Sequence, residues 1–290
     1  MRLTKRELLA DGILLLTALI WGSAFAVVKN SLDAFAPAVL ITLRYVIATP
    51  LAAIAFRRHL RGLTRGDIAR GALVGVILGA AYITQTIGLA YTTAGKNAFL
   101  TAVYVLLVPF IGLICFRQKL RRANFIAAAL MVLGIGALSL DGENGGLNVG
   151  DLLTLLCSVL FAAHIVAVER CQKKTNAYAL IVLQFAFCAL TALVYALIFE
   201  RGAPMQLTRA SVGGLLYLAV MSTTVGMSLQ NVGQSMAPAS HASILLSLES
   251  VFGVIFSCIL LGETVTGKML LGFVMIFAAV LVSEMTPRHE

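Results

Sequence analysis

The sequence predicts an all-α membrane protein: ten transmembrane helices built as two inverted five-helix repeats. Three observations predict it. The composition is too apolar for water, ten apolar runs have membrane-spanning length, and the two halves are weakly self-similar. The 290 residues are 60% hydrophobic and 12% charged, with a mean hydropathy of +0.95. A soluble domain carries about 25% charged and about 45–50% apolar residues. This chain has too little polar surface to coat a core, and it is too apolar for disorder. Ten spans of about 20 residues leave roughly 90 residues for tails and loops. That excludes a soluble ATPase or catalytic domain.

Each run is a helix because backbone polar groups in hydrocarbon must bond within the segment. The first run, 10–29, follows the basic flank Arg2, Lys5 and Arg6. It resembles a signal peptide but continues past any small-residue cleavage site, so it reads as a retained span. The second, 37–56, opens at Pro37 after Asp33 and holds Pro50. The third, 70–91, carries Gly71, Gly75 and Gly79 at four-residue spacing, a groove for close helix packing. The fourth, 96–116, holds Pro109, which with Pro50 is a candidate kink or hinge. The fifth, 123–140, is short. Asp141-Gly-Glu-Asn-Gly-Gly146 is too polar and glycine-rich to span, so residues 141–149 form the linker between a first repeat, 1–140, and a second, 150–290. The remaining runs are 151–168, opening at Asp151, then 177–199, 211–232, 239–261 after Pro238, and 268–285 after Gly267.

Lysine and arginine counting orients these spans. With the N-terminus in the cytoplasm, sixteen basic residues fall on the cytoplasmic side and five outside (Lys29, Lys96, Arg201, Arg209 and Lys268), with Arg44 inside the second span. Both termini are then cytoplasmic. The net charge of +9 lies where anionic lipid headgroups are, a distribution that argues against a nucleic-acid partner. Cys115, Cys157, Cys171, Cys188 and Cys258 form neither a disulfide framework nor a zinc pattern, so no metal is expected.

Five is odd, so two five-helix halves face opposite ways. At an offset of 140, Asp11 matches Asp151, Trp21 matches Phe161, Ile41 matches Ile181, and Arg44 stands opposite Gln184. At 145, Gln85 matches Gln230, Gly88 matches Gly233, and Gln118 stands opposite Glu263. Inverted repeats permit alternating access around a midplane site.

Four stretches carry a family resemblance. Leu19-Ile-Trp-Gly-Ser-Ala-Phe25, Gln85-Thr-Ile-Gly-Leu-Ala-Tyr-Thr-Thr-Ala-Gly-Lys-Asn-Ala-Phe-Leu100, Leu248-Glu-Ser-Val-Phe252 and Leu260-Leu-Gly-Glu263 resemble the EamA family of the drug/metabolite transporter superfamily. The resemblance covers nearly the whole chain. It implies a metabolite carrier of the cell inner (plasma) membrane, often an exporter of amino acids or related compounds. One departure is Glu249-Ser250 where the family has Glu-Pro, which removes the basis for a kink in the ninth helix.

A charge at the bilayer centre costs about 2.5–3.5 kcal/mol on insertion scales, so the polar groups that persist there need a cavity or a partner. Glu249, midway along the ninth run, reads either as a cavity carboxylate that binds a cation or carries a coupling proton, or as a structural hydrogen bonder. Its counterpart at offset 145 is Tyr104, at matching depth. Trp21, Tyr82 and Tyr104 would give a cavity aromatic walls, suited to bulky amino acids or planar amines. Gln85, Gln230 and Asn231 can bind substrate without a desolvated charge, or bridge helices. Arg44 reads as a carboxylate clamp or as a structural pin of helix 2. Lys96 and His241, 145 apart, open helices 4 and 9 at opposite faces; Lys96 snorkels or binds an anion, and His241 could gate. His164, in helix 6, is a proton site or a neutral hydrogen-bonded core histidine. Ser240, Ser243, Ser247 and Ser250 form a small polar face on helix 9. Ala94-Gly-Lys-Asn97 imitates a phosphate loop but lacks its first glycine and its final Ser/Thr. No catalytic constellation and no cofactor motif is present, so no enzyme is expected. The expected partners are a small-molecule substrate, membrane lipid and protons, with the substrate's own gradient or protons as drive. The alternatives are exchange of anionic solutes through Lys96 and Arg44, or a non-enzymatic membrane protein of another role.

Overall fold

The computed structural model describes residues 5–117, 120, 122–139, 147–234, 236 and 239–285; of these, the side chains of 5–7, 116, 139, 231, 234, 239–244, 284 and 285 stand outside the description. The linker Asp141–Gly146 and Gln118 therefore lie outside the described residues. Among the described residues the chain is helical, with no strand. The elements are α1 (Lys5–Ser31), α2 (Pro37–Ala55), α3 (Arg65–Tyr91), α4 (Ala94–Thr101), α5 (Val103–Phe116), α6 (Arg122–Ser139), α7 (Val149–Gln172), α8 (Ala177–Phe199), α9 (Arg209–Leu216), α10 (Gly226–Gln234), α11 (Ala239–Leu261) and α12 (Gly267–Met285). A short 3₁₀ turn, Arg57–Leu60, follows α2, and a π-helical stretch, Tyr217–Val225, joins α9 to α10.

Polarity is reversed relative to a soluble protein. Ile54, Ile114, Val132, Phe199 and Ile259 are more than two-thirds exposed, while Thr17, Asn97, Thr154 and Ser158 are fully buried. An apolar exterior on this scale needs lipid against it. Among the described residues seven helical segments are long and apolar enough to cross a membrane, and three shorter ones, Arg122–Leu138, Leu245–Leu261 and Gly267–Ser283, are apolar as well.

The helix ends show how the bundle is tied. Pro37 opens α2 after Ala36, which has no side chain to cap it; Glu200, just past α8, accepts from Ala38 N–H and Val39 N–H at 3.0 Å. Glu263, just past α11, likewise accepts from Ala94 N–H at 2.7 Å and Gly95 N–H at 3.1 Å at the start of α4. A carboxylate at a helix N-terminus satisfies free N–H groups and complements the dipole. Lys29 serves the opposite end of α3, donating to Leu89 O at 2.6 Å and Thr92 O at 2.8 Å.

These contacts also fix direction. The end of α1 (Lys29), the end of α3 (Thr92) and the start of α7 meet, since Thr92 Oγ1 donates to Asp151 Oδ1 at 2.6 Å. The start of α3 meets the turn after α7 at the other end, where Arg70 Nε donates to Thr175 Oγ1 at 2.6 Å. The chain therefore begins α7 at the end of the bundle opposite the start of α1.

The packing partners exchange in the same sense. The segment from α9 to α10 lies on α1 and α2, as α3 lies on α7 and α8; α11 lies on α1, as α4 and α5 lie on α7; α2 pairs with α8, and α6 with α12. Glycines admit the closest approaches. A Cβ at Gly75 would stand 2.5 Å from Phe187 Cβ and 2.7 Å from Gln184 O, and Gly71 and Gly79 face Leu183 and Thr191 on the same helix, α8. The glycine row on the third run is thus the α3–α8 contact.

Two breaks depart from unbroken helices. The fourth run turns at Ala102 between α4 and α5. The eighth run widens into the π stretch, where Thr223 Oγ1 and Thr224 Oγ1 donate to carbonyls five residues back, Leu218 O and Ala219 O, at 2.8 and 2.9 Å. The Trp21 indole N–H takes a further carbonyl of that stretch, Ser222 O, at 2.9 Å.

The two ends of the bundle are not finished alike. Thr64 and Thr208, 144 residues apart, cap α3 and α9 through Asp67 and Ser211. At the first, Arg70 bonds Thr175 Oγ1, Asp67 Oδ1 at 2.9 Å and Lys174 O, clasping α3 to the α7–α8 corner. At the second, Gly214 stands 144 residues after Arg70. There a pocket of about 360 Å³ opens between α9 and the α1–α2 corner, lined by Asn30, Ser31, Asp33, Gln206, Ser211 and Gly214 among others.

Candidate functional site

A cavity of about 190 Å³ lies at the centre of the bundle, among α1, α2, α3, the α4–α5 pair, α7, the eighth run and α11. Its walls come in pairs. Trp21 and Phe161, Ala24 and His164, and Phe25 and Ile165 stand 140 residues apart; Tyr82 and Met227, Gln85 and Gln230, and Tyr104 and Glu249 stand 145 apart; all twelve line it. Most of the lining is apolar or aromatic. Tyr45, Tyr82, Phe161 and Tyr104 form a chain of rings with centroid spacings of 5.7, 5.2 and 6.3 Å.

Arg44 enters from α2 and is 6% exposed. Its Nε donates to Thr223 Oγ1 at 2.6 Å and its Nη2 to Ser222 Oγ at 3.2 Å. The guanidinium carbon sits 5.0 Å from the Tyr82 ring centre and 5.6 Å from that of Tyr45, within cation–π range. Glu249 reaches the cavity from α11, a helix set by close crossings on both sides. A Cβ at Gly22 of α1 would stand 2.8 Å from Glu249 O, and one at Gly253 would stand 2.5 Å from Ala98 Cβ of α4. Among the described residues nothing bonds the Glu249 carboxylate, and it forms no ion pair with Arg44.

Other polar groups are held in place. Gln85 Nε2 donates to Thr101 Oγ1 at 3.0 Å, across the α3–α4 junction. His164 Nε2 is paired with Gln184 Oε1 at 2.9 Å, so the cavity histidine is also hydrogen-bonded to α8. Trp21 is pinned by Ser222 O and crosses α10 at Gly226, where a Cβ would stand 2.5 Å from the indole nitrogen. Behind this wall Asn97 is fully buried; its Nδ2 donates to Thr154 Oγ1 at 2.7 Å, and its Oδ1 has no partner among the described residues.

The structure thus brings Trp21, Arg44, Tyr82, Gln85, Tyr104, His164, Gln230 and Glu249 to one cavity. Lys96 does not line it; the residue is buried in the first turn of α4, with its N–H bonded to Thr93 Oγ1. The side chains of Asn231 and His241 lie outside the described residues. Sequence reasoning missed Tyr45, Phe161 and Ser222 as lining residues. Phe161 carried a signal, as the counterpart of Trp21; Ser222 carried none, because nothing in an apolar run marks a π stretch.

No group of three His, Cys, Asp or Glu able to hold a metal occurs among the described residues. The chemistry on offer is recognition. One carboxylate, one guanidinium, two amides and a histidine face an aromatic chamber, an arrangement that can hold a small amphipathic molecule without reacting with it.

Comparison with known proteins places this geometry. The model of the EamA-like transporter family matches the chain twice, over residues 8–140 and 148–285. An uncharacterised transporter of Archaeoglobus fulgidus is 33% identical over 285 residues, covering 96% of this chain and 86% of that protein. A probable amino-acid metabolite efflux pump of Salmonella typhimurium is 26% identical, covering 94% of each. A biotin transporter of Escherichia coli is 25% identical, covering 84% of this chain and 82% of that protein. A solved crystal structure superposes with a TM-score of 0.64 at 19% identity, covering 94% of this chain and 95% of the other, which shows a shared fold.

Proposed function

The chain belongs to the EamA-like transporter family and is a multi-pass membrane transporter, and from that premise we propose that it is a ten-span carrier of two inverted five-helix repeats that exports amino acids or related amphipathic amines by alternating access. The observation that carries the reading is the pairing of the cavity walls. Six pairs of lining residues, each at the spacing of the internal repeat, surround one chamber. A binding site on a pseudo-twofold axis between inverted halves would be lined in this way. The opposite starting ends of α1 and α7 support the inversion. The excess of lysine and arginine at the Arg70 end supports an inner-membrane protein with both termini in the cytoplasm.

Within the chamber Trp21, Tyr82 and Tyr104 contact the apolar part of the substrate, and Gln85 and Gln230 supply amide hydrogen bonds, with Asn231 a third candidate amide from the sequence. Glu249 receives a substrate amine or a coupling proton. His164 and His241 are the further proton and gating groups. The relative named as an amino-acid metabolite efflux pump favours amino acids as cargo. The competing reading, exchange of anionic solutes, needs both Lys96 and Arg44; with Lys96 away from the lining, it rests on Arg44 alone.

The test is counterflow in liposomes. Purified protein is loaded with a panel of amino acids and organic amines, with and without a pH gradient. Exchange of bulky amino acids is the expected result. Exchange confined to phosphorylated solutes, or none for any member of the panel, would overturn the reading.

A further inference from the structure

Resting on the reading of the central cavity as the transport site, we propose that Arg44 receives the carboxylate of the cargo and transmits its arrival to the π stretch of the eighth run, restricting cargo to amphipathic carboxylates.

The first ground is the unspent side of the guanidinium. Arginine has five N–H donors in a rigid fork. Here Nε and Nη2 reach Thr223 and Ser222, and Nη1 makes no hydrogen bond to any described residue. The group lines the cavity while being 6% exposed. No carboxylate among the described residues pairs with it. A desolvated cation with neutral partners and open donors is matched by an anion arriving through the cavity, because a bidentate arginine–carboxylate pair adds both energy and geometric specificity.

The second ground is the counterpart of Arg44. At offset 140 the other half holds Gln184, which bonds His164 and packs beneath Gly75. A neutral amide therefore serves the same place in the architecture. The positive charge appears once, on the half whose side chain faces the cavity, and packing alone does not call for it.

The third ground is what Arg44 holds. Thr223 and Ser222 belong to the π stretch, and Thr223 Oγ1, while accepting from Arg44 Nε, donates to Leu218 O five residues back. The next link is Trp21, bonded to Ser222 O. A carboxylate that takes the Nη1–Nη2 edge competes first with the longer contact, to Ser222 at 3.2 Å, and leaves the Nε contact at 2.6 Å in place. The eighth run is thereby informed that the cavity is filled. π-helical turns are frequent at functional sites.

The test uses the sole tryptophan, Trp21, as an internal reporter. Leucine, methionine and valine, each with its α-amide, are titrated against purified full-length protein in detergent while Trp21 emission is followed. A methanesulfonate and an inorganic phosphate titration separate a carboxylate site from a general anion site. The expected result is that at least one acid shifts the emission, with its amide tenfold or more weaker. Arg44→Gln brings the acid down to the level of the amide, and Arg44→Lys keeps part of the preference. Ser222→Ala with Thr223→Val keeps the acid preference in binding but slows counterflow. Acid and amide binding alike, silence of Trp21 to all three acids, or a stronger response to phosphate would each overturn the inference. Counterflow of amides and amines at the rate of acids would also overturn it while leaving the carrier standing; absence of all counterflow would instead strike the carrier reading.

Discussion

Glu249 is a half-buried carboxyl that faces the central chamber, and no described neighbour bonds it. If it carries the coupling proton, Glu249→Gln, which keeps the shape and removes titration, is expected to make counterflow rates flat between mildly acid and mildly alkaline pH, where the parent's change. A parent rate that is itself flat with pH would remove Glu249 from coupling. The residues around it were legible for a physical reason. In an apolar run a tyrosine, glutamine or arginine has no solvent to turn to, so polar type alone points to the interior. The facing direction was not legible. Lys96, at the start of the fourth run, and Arg44, inside the second, both read as anion-binding or structural cations, yet one is buried in the first turn of α4 and the other enters the cavity. Only the neighbouring helices decide that.

Among the elements, α3 and α8 show how a run of glycines becomes a contact. Gly75→Leu would set a side chain into Phe187 and the Gln184 carbonyl. Overpacking of this kind costs about 1–3 kcal/mol, so a clearly lower melting temperature in detergent is expected. Gly136→Leu, on α6 with nothing within 4 Å of its Cβ, should melt like the parent. Equal melting of both variants would remove the α3–α8 packing account. The helical stretches follow the apolar runs closely: α8 and α11 coincide with 177–199 and 239–261. Length and hydropathy are imposed by the bilayer and so can be read from the chain. The turn at Ala102 and the π stretch could not be read. They depend on contacts with other helices, such as the Trp21 and Arg44 bonds to Ser222 and Thr223, rather than on local composition.

At the scale of the whole molecule, the two halves enter the bundle from opposite ends, and labelling tests this. In a chain whose five cysteines are replaced by serine, Val149→Cys at the start of α7 is expected to react with an impermeant thiol reagent on intact cells. Arg58→Cys, in the turn after α2, is expected to react only after permeabilisation. Reaction of both from one side would overturn the inversion. On the proposed reading the halves are alike in plan but not in finish, and the unlike junctions at Arg70 and Gly214 have a consequence for how such a carrier rests. A perfectly balanced seesaw has no preferred tilt. Here one rim is held by a guanidinium, Arg70, and the opposite rim by two carboxylates and an ammonium, Glu200, Glu263 and Lys29, beside the Gly214 pocket. If the two rims part in turn, as the proposed alternating access requires, they break unlike sets of bonds, so the two tilts differ in energy and the carrier has a preferred resting side.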